Sequence, residues 1–526
     1  MDTKALRQKV LDLAIRGKLV PQDPNDEPAS VLLERIRQQK QQMVNDGKLK
    51  AKDIKNDTII FVGEDNLHYE KFADGSVKCI EDEVPFDLPD GWAWARIASI
   101  CLKVTDGTHH SPDNFPSGAY KYVTAKNIKL DGVVLDDITY VTAEVHREIF
   151  ARCNPEFGDI LYIKDGATSG IATVNTLCEE FSLLSSVALL KPAQGIDNWY
   201  MCYAMQSPYF YSTTRGDMKG VGITRITLNM LTSRLLPIPP QNEQQRISVN
   251  TRNQIELISA IESDKANILK MVSIVKSKIL DFAIRGQLVP QDPEDEPASI
   301  LLERIRAEKE ELIRQGKIKR DKKESVIFRG EDNSYYLRTG ELVESFEDWA
   351  FEELPDTWSV CCLGELCDYG NCTNVDTADI ADSAWMLDLE DIEKDSGVVL
   401  QKVRKGERNA ASTKHRFHKG QVLYSKLRPY LNKVVLADED GYCTSEILPL
   451  EFERNILPQY ARYYLMSPAF LRYANKCSYG VKMPRLGTAD GKKAIISIPP
   501  IEEQKRIVLA IELAFAQLVS IAENLT

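Results

Sequence analysis

Polar and basic side chains are concentrated on glycine-containing stretches between short runs of β-branched residues. Their types suit contacts with nucleic acid: Lys and Arg reach phosphates, while Arg, Lys, Asn, Thr and His on short loops reach base edges. Glycine beside them lets the backbone approach a duplex closely. The candidate DNA-contacting residues are Thr108, His109, His110, Lys126, Asn127, Lys164, Thr168, Lys219, Thr224, Arg225, Lys414, Arg416, Lys426, Arg428, Lys482 and Arg485.

Motifs for catalysis are incomplete. The sequence has no Gly-x-x-x-x-Gly-Lys-Ser/Thr loop for phosphates, and the stretch 220–225 lacks the third glycine of a dinucleotide-binding fingerprint. Asn154-Pro155-Glu156-Phe157 is similar to the Asn-Pro-Pro-aromatic site of amino-methyltransferases but lacks the second proline. We therefore predict no catalytic residue. A self-contained methyltransferase or nuclease is kept as an alternative, motivated by residues 154–157 alone.

A metal site is also not expected. Four cysteines stand close together in the second half of the chain, yet structural zinc usually requires paired Cys-x-x-Cys spacing. His109-His110 has no second group of metal-binding residues nearby in the sequence. We interpret the cysteines as buried residues of strands; they are Cys361, Cys362, Cys367 and Cys372.

Size and composition are those of a soluble protein with more than one domain. The chain has 526 residues, of which 43% are hydrophobic and 27% charged, and its net charge is −12. Nucleic-acid contacts must then come from local patches or from other subunits. The 11 cysteines suit reduced thiols. With no apolar run of membrane-spanning length and no signal peptide expected, we predict a cytoplasmic protein.

Two halves of the chain repeat each other. Residues 14–24 return as 283–293, and Leu-Leu-Glu-Arg-Ile-Arg at 32–37 returns at 301–306. Beyond Trp92 and Trp358 the two copies diverge. Similar connecting parts and dissimilar globular parts indicate a common frame that holds two modules with different recognition surfaces.

A long helix is predicted from Pro239 to Gly286, because this run has no internal proline or glycine after Pro240. Pro499-Pro500 opens a second helix of the same pattern that stops at the C-terminus, and residues 6–17 match 275–286. The termini would thus form one helix, antiparallel to the first, and the chain would be circular in arrangement. Steps of three and four place these residues in a coiled-coil seam: Leu6, Val10, Leu13, Ile258, Ile261, Ile268, Val272, Val275, Ile279, Phe282, Ile511, Leu518, Ile521 and Leu525.

The predicted fold class is α+β. Two mixed α/β recognition domains are separated by a long antiparallel two-helix coiled coil with pseudo-twofold symmetry. Residues 87–240 and 353–500 form the two recognition domains, and 18–86 and 287–352 form repeated connecting segments. The helical segments are 1–17, 241–286 and 501–526.

Several motifs carry a resemblance to a known family. The pattern Ile-Pro-Pro-x-x-Glu-Gln-x-Arg-Ile occurs at 238–247 and 498–507, Gly-Asp-Ile-Leu at 158–161, and Asp-Gly-Thr-His at 106–109. Together with the two divergent modules, they resemble the DNA-specificity subunit of type I restriction–modification enzymes. The second module departs from the pattern, with Gly-Gln-Val-Leu at 420–423 and no Asp-Gly-Thr-His.

The resemblance implies a function. Each recognition domain would read one half of a split, asymmetric DNA site, and the coiled coil would fix the length of the spacer. The chain would carry no active site and no cofactor. Two methyltransferase subunits binding S-adenosylmethionine and two restriction subunits using ATP and Mg²⁺ would be its partners. A scaffold whose modules bind proteins remains a further alternative.

Overall fold

The computed structural model describes residues 2–216, 225–318, 325–330, 335–345, 354–408 and 412–525. The described chain mixes helices with sheets, which confirms the fold class at this level. It divides into two compact units, Met1–Asp264 and Lys265–Thr526. The division falls inside one helix, Gln241–Ile284.

Unit 1 contains a helical start, a small three-stranded sheet and a mixed module. Its helices are α1 (Thr3–Ile15), α2 (Ala29–Asn45), α3 (Ile97–Ile100), α4 (Ala143–Arg152), α5 (Asn198–Gln206), α6 (Pro208–Gly216), α7 (Leu228–Thr232) and the first part of α8 (Gln241–Ile284). Its strands are β1 (Ile59–Val62), β2 (His68–Lys71), β3 (Val77–Cys79), β4 (Ala93–Arg96), β5 (Cys101–Asp106), β6 (Tyr120–Val123), β7 (Ile128–Lys129), β8 (Gly132–Val133), β9 (Thr139–Val141), β10 (Ile160–Ile163), β11 (Ala172–Val174), β12 (Phe181–Leu183), β13 (Val187–Pro192) and β14 (Leu235–Ile238).

Unit 2 follows a similar order after the second part of α8. Its helices are α9 (Ala298–Arg314), α10 (Leu363–Leu366), α11 (Pro458–Leu465), α12 (Pro468–Lys476), α13 (Thr488–Lys493) and α14 (Ile501–Leu525). Its strands are β15 (Ser325–Arg329), β16 (Tyr335–Thr339), β17 (Leu342–Ser345), β18 (Ser359–Cys362), β19 (Asn374–Val375), β20 (Trp385–Leu387), β21 (Val403–Arg404), β22 (Lys414–Phe417), β23 (Val422–Ser425), β24 (Val434–Leu436), β25 (Gly441–Thr444), β26 (Ile447–Leu450) and β27 (Ile495–Ile498).

The central sheet of unit 1 has the order β11-β10-β13-β5 and is antiparallel. Strand β10 is buried on both faces because alternate residues enter different cores. Ile160 and Tyr162 pack with helices α5 and α6, whereas Leu161 and Ile163 pack with β12 and the β7 region. This double burial explains why the strand is apolar throughout.

Unit 2 has two sheets in its module, ordered β24-β23-β26 and β19-β22-β25-β20-β21. Val422 and Tyr424 of β23 face the core that contains α11 and α12. Leu423 faces a second core with Trp385 and Phe417. The same alternation as in β10 therefore builds the second module from a different sequence.

The Pro-Pro-x-x-Glu-Gln-x-Arg-Ile motif fixes the start of each helix to its module. In unit 2, Trp358 Nε1 donates a 3.0 Å hydrogen bond to Glu503, and burial raises the pKa of that carboxyl group. Gln504 accepts from the backbone of Leu457 at 2.9 Å and donates to Pro499 at 3.1 Å. Arg506 forms a 2.6 Å ion pair with Asp295.

Unit 1 repeats this set of contacts. Trp92 Nε1 donates to Glu243 at 3.1 Å, and Gln244 accepts from the backbone of Asp197 at 2.8 Å. Arg246 pairs with Asp26 at 2.6 Å. The motif therefore serves attachment, since every polar residue in it is used to hold a helix on a core.

Short helices in the modules begin where the sequence places a capping serine. Ser207 Oγ accepts from the backbone N–H of Phe210, and Ser467 Oγ accepts from that of Phe470. The proline that follows each serine suits the first turn because it needs no N–H partner there. Serine-proline thus separates α5 from α6 and α11 from α12.

Helix α8 buries a face that drifts away from the predicted seam. Counting from Ile247, ten steps of about 3.5 residues reach Phe282, whereas ten steps of about 3.6 residues reach Ala283. Ala283 is buried and Phe282 is 44% exposed. The buried face therefore follows the straight-helix period, and the predicted seam residues that the structure exposes are Leu6, Ile268, Val275, Phe282 and Ile521.

The other predicted seam residues are covered to different degrees. Val10, Ile258 and Ile511 are buried. The half-buried members are Leu13, Ile261, Val272, Ile279, Leu518 and Leu525.

Helix α14 differs from a sequence expectation. Its most apolar window has a mean hydropathy of 1.6, so by length and composition it is able to cross a membrane. The expectation that no run has this property is wrong for α14. Burial of Glu503, Gln504, Ile507 and Ile511 attaches its first turns to the core of unit 2. One such helix is weak evidence for a membrane segment.

The attachment of α14 predicts a measurable coupling between Trp358 and Glu503. Replacing Trp358 with Phe leaves a buried carboxylate oxygen without its donor, and we expect it to lower the free energy of unfolding by about 1–3 kcal/mol. The double variant W358F/E503M should lose less than the sum of the two single variants, because both polar partners are gone. Urea unfolding followed by far-UV circular dichroism measures this. Y430F, at an exposed ring, is the control, and a W358F protein as stable as wild type would contradict the coupling.

Candidate nucleic-acid interface

Two loops of unit 1 leave the same edge of the central sheet. Strand β5 ends at Asp106, which pairs with Ala188, and β10 ends at Ile163, which pairs with Val187. Since Ala188 and Val187 are neighbours on β13, which lies between β5 and β10, the loops 107–110 and 164–170 start at the same end of the sheet on either side of β13. The antiparallel register therefore places the predicted residues of both loops in one region.

Asp106 is the anchor of this region. Its buried carboxylate is contacted by Arg152, by Lys164 Nζ at 3.3 Å and by His109 Nε2 at 3.4 Å. Arg152 also contacts His109 Nε2 at 3.0 Å. A buried carboxylate requires such compensation. Lys164 is itself buried, so it acts as a counter-ion and the prediction that it contacts DNA is not supported by its position.

Gly107 follows the anchor at a position where only glycine fits. A Cβ atom there would lie 1.8 Å from the carbonyl oxygen of Leu183. The close approach lets Thr108 N–H donate to that same carbonyl at 2.9 Å, and Thr108 Oγ1 donates to the backbone of His110 at 3.0 Å. These hydrogen bonds fix the conformation of Asp-Gly-Thr-His at 106–109, which we call the loop lock. His109 and His110 are exposed to solvent there.

Arg225 comes from a third segment of the chain and contacts Asp165 in the second of these loops. Its guanidinium donates to both carboxylate oxygens of Asp165, at 2.9 Å from Nε and 3.1 Å from Nη2. Hydrogen bonding to Asp165 raises the pKa of Arg225. The arginine remains more than half exposed, so a fixed, planar donor group stands at the surface beside the two loops.

The remaining predictions in unit 1 divide by exposure. Lys126 and Thr168 are exposed. Asn127 is buried, and its amide bonds the backbone of Thr124 at 3.1 Å and of Val134 at 3.1 Å. Asn127 therefore holds the turn before β7 and is not available to a base. Lys219 and Thr224 lie outside the described residues.

Unit 2 repeats a pair of backbone hydrogen bonds that unit 1 makes at the end of its central strand. We call this pair of bonds, made by Lys164 in unit 1 and by Lys426 in unit 2, the frame. Lys426 follows β23 as Lys164 follows β10. The N–H of Lys426 bonds the carbonyl of Glu446 at 3.0 Å, and its own carbonyl accepts from Leu486 at 3.0 Å. In unit 1, Lys164 makes these bonds with Ser186 at 2.9 Å and Ile226 at 3.0 Å. The backbone frame is thus common to the two modules.

Arg485 occupies the place in unit 2 that Arg225 has in unit 1, one residue before the bonded Leu486 or Ile226. It pairs with Glu446, at 3.0 Å from Nε and 2.9 Å from Nη2, and this bonding raises its pKa. The acid comes from a different element in each unit. Sequence analysis named both arginines but not their partners, because Asp165 and Glu446 have no common sequence position.

The other predicted residues of unit 2 are spread over two sheets. Arg428 is exposed in a left-handed conformation with φ of 50°, and Lys482 is exposed on the loop before Arg485. Lys426 is half-buried. Lys414 is buried in β22, with Nζ 3.7 Å from Asp388, so it does not face a ligand. Its neighbour Arg416 is exposed on the same strand.

The cysteines named from sequence are found in the core of unit 2. Cys361, Cys362 and Cys367 are buried, and burial raises the pKa of Cys362 to about 12. Across the described ranges, no group of three His, Cys, Asp or Glu side chains is arranged to hold a metal ion.

The loop lock predicts a strong effect of one methyl group. Gly107→Ala forces a Cβ into the Leu183 carbonyl, and we expect a loss of at least about 2 kcal/mol in the free energy of unfolding. Gly216→Ala is the matched control, since the described residues beyond its chain neighbours and its own helix backbone place no atom within 4 Å of the added Cβ. Chemical denaturation compares the two proteins. Equal stability of both variants would show that the loop has another conformation.

Comparisons of the sequence with known proteins find one family and several relatives. Residues 355–517 match the family described as "Type I restriction modification DNA specificity domain". The chain is 29% identical over 421 residues to the specificity subunit of type I restriction enzyme EcoAI from Escherichia coli, covering 70% of this chain and 63% of the relative. For the EcoEI specificity subunit from Escherichia coli the identity is 28% over 414 residues, with coverage of 69% and 61%. The matches therefore span less than two thirds of these relatives.

A solved structure gives the likeness in three dimensions. A chain from a study of complex assembly and conformational transition of the type I restriction–modification system aligns with a TM-score of 0.55 at 15% identity. The alignment covers 84% of this chain and 94% of that chain. At this identity the likeness concerns the fold alone. Residues 355–517 thus match a type I restriction modification DNA specificity domain, and the chain is similar in sequence to specificity subunits of type I restriction enzymes.

Proposed function

We propose that this chain is the non-catalytic, DNA-reading subunit of a type I restriction–modification assembly. Each unit reads one half of a split, asymmetric DNA sequence. The observation that carries the proposal is the common frame with different surfaces: Arg225 and Arg485 stand at the same place, but the exposed side chains around them differ. A duplicated frame with unlike surfaces suits two unlike half-sites.

The charges in the two frames favour recognition of bases over tight binding of phosphates. Arg225 and Arg485 are each neutralised by a carboxylate, and Lys164 is a buried counter-ion of Asp106. With a net charge of −12, the chain requires other subunits for much of the phosphate contact. We propose two methyltransferase subunits that use S-adenosylmethionine and two restriction subunits that use ATP and Mg²⁺. This chain itself would need no cofactor.

We propose the following arrangement of domains in the cytoplasmic complex. Residues 87–240 and 353–500 form the two target-recognition domains, joined by the repeated segments 18–86 and 287–352. Segments 1–17 and 501–526 together form a helix antiparallel to 241–286, giving a circular, pseudo-twofold arrangement. Contacts inside each unit support this: Leu11 packs with Ile255 in unit 1, and Lys276 lies over the Phe515 ring in unit 2.

An enzymatic alternative has little support in the described side chains. Asn154, from the stretch similar to a methyltransferase motif, accepts a 2.9 Å bond from Lys103 and donates to Glu156 at 3.1 Å. His146 lies between Ser182 Oγ at 3.1 Å and Glu180 at 3.3 Å, which is similar to a hydrolase triad. Ser182 is completely buried in β12, so its hydroxyl has no access to a substrate.

Selection from random DNA duplexes distinguishes a sequence-reading DNA-binding subunit from a protein-binding scaffold. The full chain, purified from its source cells with any subunits it holds, is incubated with a pool of random duplexes, and bound DNA is sequenced. We expect a bipartite motif with a fixed gap. A pool that shows no enrichment would refute the proposed function.

The proposed spacer helix predicts a change in the gap. Four residues inserted into α8 between Ile258 and Phe282, with a matching insertion in α14, lengthen the pair by about 6 Å, close to two base-pair steps. The selected motif should keep both halves while its gap grows by about two base pairs. Four residues inserted in the 47–50 turn provide the control. An unchanged gap would exclude the spacer role.

The independence of the two units predicts a one-sided loss of specificity. Replacing His109 and His110 with alanine should relax base preference in one half of the motif by about 1–3 kcal/mol per lost contact. The other half should be unchanged, because its reader lies in unit 2. Sequencing of selected DNA measures both halves at once. H418A, an exposed histidine paired with Asp440, is the control, and loss of both halves in the His109/His110 variant would contradict independent reading.

A further inference from the structure

One loop of unit 2 exposes apolar side chains that the protein core does not use. Residues 479–485 form a closed loop in which Tyr479 and Arg485 exchange two backbone hydrogen bonds, at 3.1 and 2.9 Å. Val481, at its tip, is fully exposed, and Tyr479 and Met483 are 62% and 45% exposed. We call residues 479–485 the tip loop. Such exposure of neighbouring apolar groups has an energetic cost in water and suggests a partner surface.

The base of the tip loop is held firmly. Pro484 accepts a 2.7 Å hydrogen bond from the backbone of Arg428, and Leu486 bonds Lys426 at 3.0 Å. The Arg485–Glu446 ion pair adds two side-chain bonds below 3.1 Å. The loop therefore cannot fold Val481 back onto the core without breaking several bonds. It projects as a fixed tip from the frame that carries the candidate DNA-contacting residues.

The charges around the tip select the partner. Lys482 lies on the tip loop and Arg428 at its base, and neither has a carboxylate partner in the described part of the chain. Tyr430, next to Arg428, is 47% exposed. Apolar tips flanked by unpaired cations and an aromatic ring are complementary to stacked bases between two phosphate strands. An apolar protein surface would not require these cations.

The duplicated half of the sequence contains a related stretch. Gly220-Val221 and Arg225 align with Gly480-Val481 and Arg485, with Ile223 opposite Met483. The modules differ in most surface residues, so a shared Gly-Val-x-apolar-x-Arg pattern points to a shared task. The unit 1 stretch 217–224 lies outside the described residues.

We propose that the tip loop is a wedge that inserts Val481 and Met483 between base pairs of the unit 2 half-site and kinks the bound duplex. This rests on the proposed DNA-reading function and adds how one unit deforms its half-site. Unstacking a base step costs a few kcal/mol, which contacts to a bent duplex offset. Lys482 then neutralises a phosphate beside the kink. Sequence preference would arise at flexible pyrimidine–purine steps that no side chain contacts by hydrogen bonds.

The test compares variants of exposed side chains that lie outside the buried core. V481T/M483Q keeps the size of the tip but makes it polar, and V398T changes an exposed valine elsewhere in unit 2. Each full chain, purified from source cells with its subunits, is bound to the duplex selected by the wild type. Bending is measured by energy transfer between dyes at the duplex ends. Unstacked bases are probed with permanganate and diethyl pyrocarbonate.

We expect wild type and V398T to bend the duplex and to produce one hyper-reactive step in the unit 2 half-site. V481T/M483Q should abolish both signals and weaken binding about tenfold without changing the salt dependence. K482A should retain the hyper-reactive step. It should reduce, by about 1, the magnitude of the slope of log binding constant against log salt concentration.

Bending and reactivity of V481T/M483Q equal to wild type would overturn the wedge while leaving the DNA-reading function intact. A wild-type protein that selects no sequence would overturn both.

Discussion

In each unit, a hydrogen bond between a buried glutamate and a tryptophan indole attaches a long helix to its module. Glu243 with Trp92, and Glu503 with Trp358, join the first turn of a long helix to the entry strand of a module. Burial raises the pKa of both carboxyl groups, so these groups are in a costly environment unless their donors are present. The neighbouring Gln and Arg complete the attachment of the helix start to the module.

Attachment of this kind lets the exposed loop residues of each module vary. The frame in each unit is made by backbone bonds from a strand-end lysine, Lys164 or Lys426, and by an ion-paired arginine, Arg225 or Arg485. These bonds do not depend on the identity of exposed loop residues. Surface residues such as His109 and Arg428 are therefore free to differ between the two units.

Polar residues of one type have opposite roles in this protein, and burial distinguishes them. Lys164 and Lys414 look like Lys126 and Lys482 in sequence, because each stands in a loop or short strand beside other polar residues. Only the folded chain shows that the first two face Asp106 and Asp388. Asn127 is a similar case, since its amide is used by the backbone of its own turn.

The sequence by itself determined the repeats, the mixed fold class and the helix-start motif, because these depend on local patterns and on comparison of the chain with itself. Tertiary structure alone decided the buried face of α8, where about 3.6 residues per turn displace it from a seam counted at about 3.5. It also decided which cations have acid partners, because Asp165 and Glu446 reach their arginines across long sequence separations. Long-range pairing leaves no local pattern in the sequence.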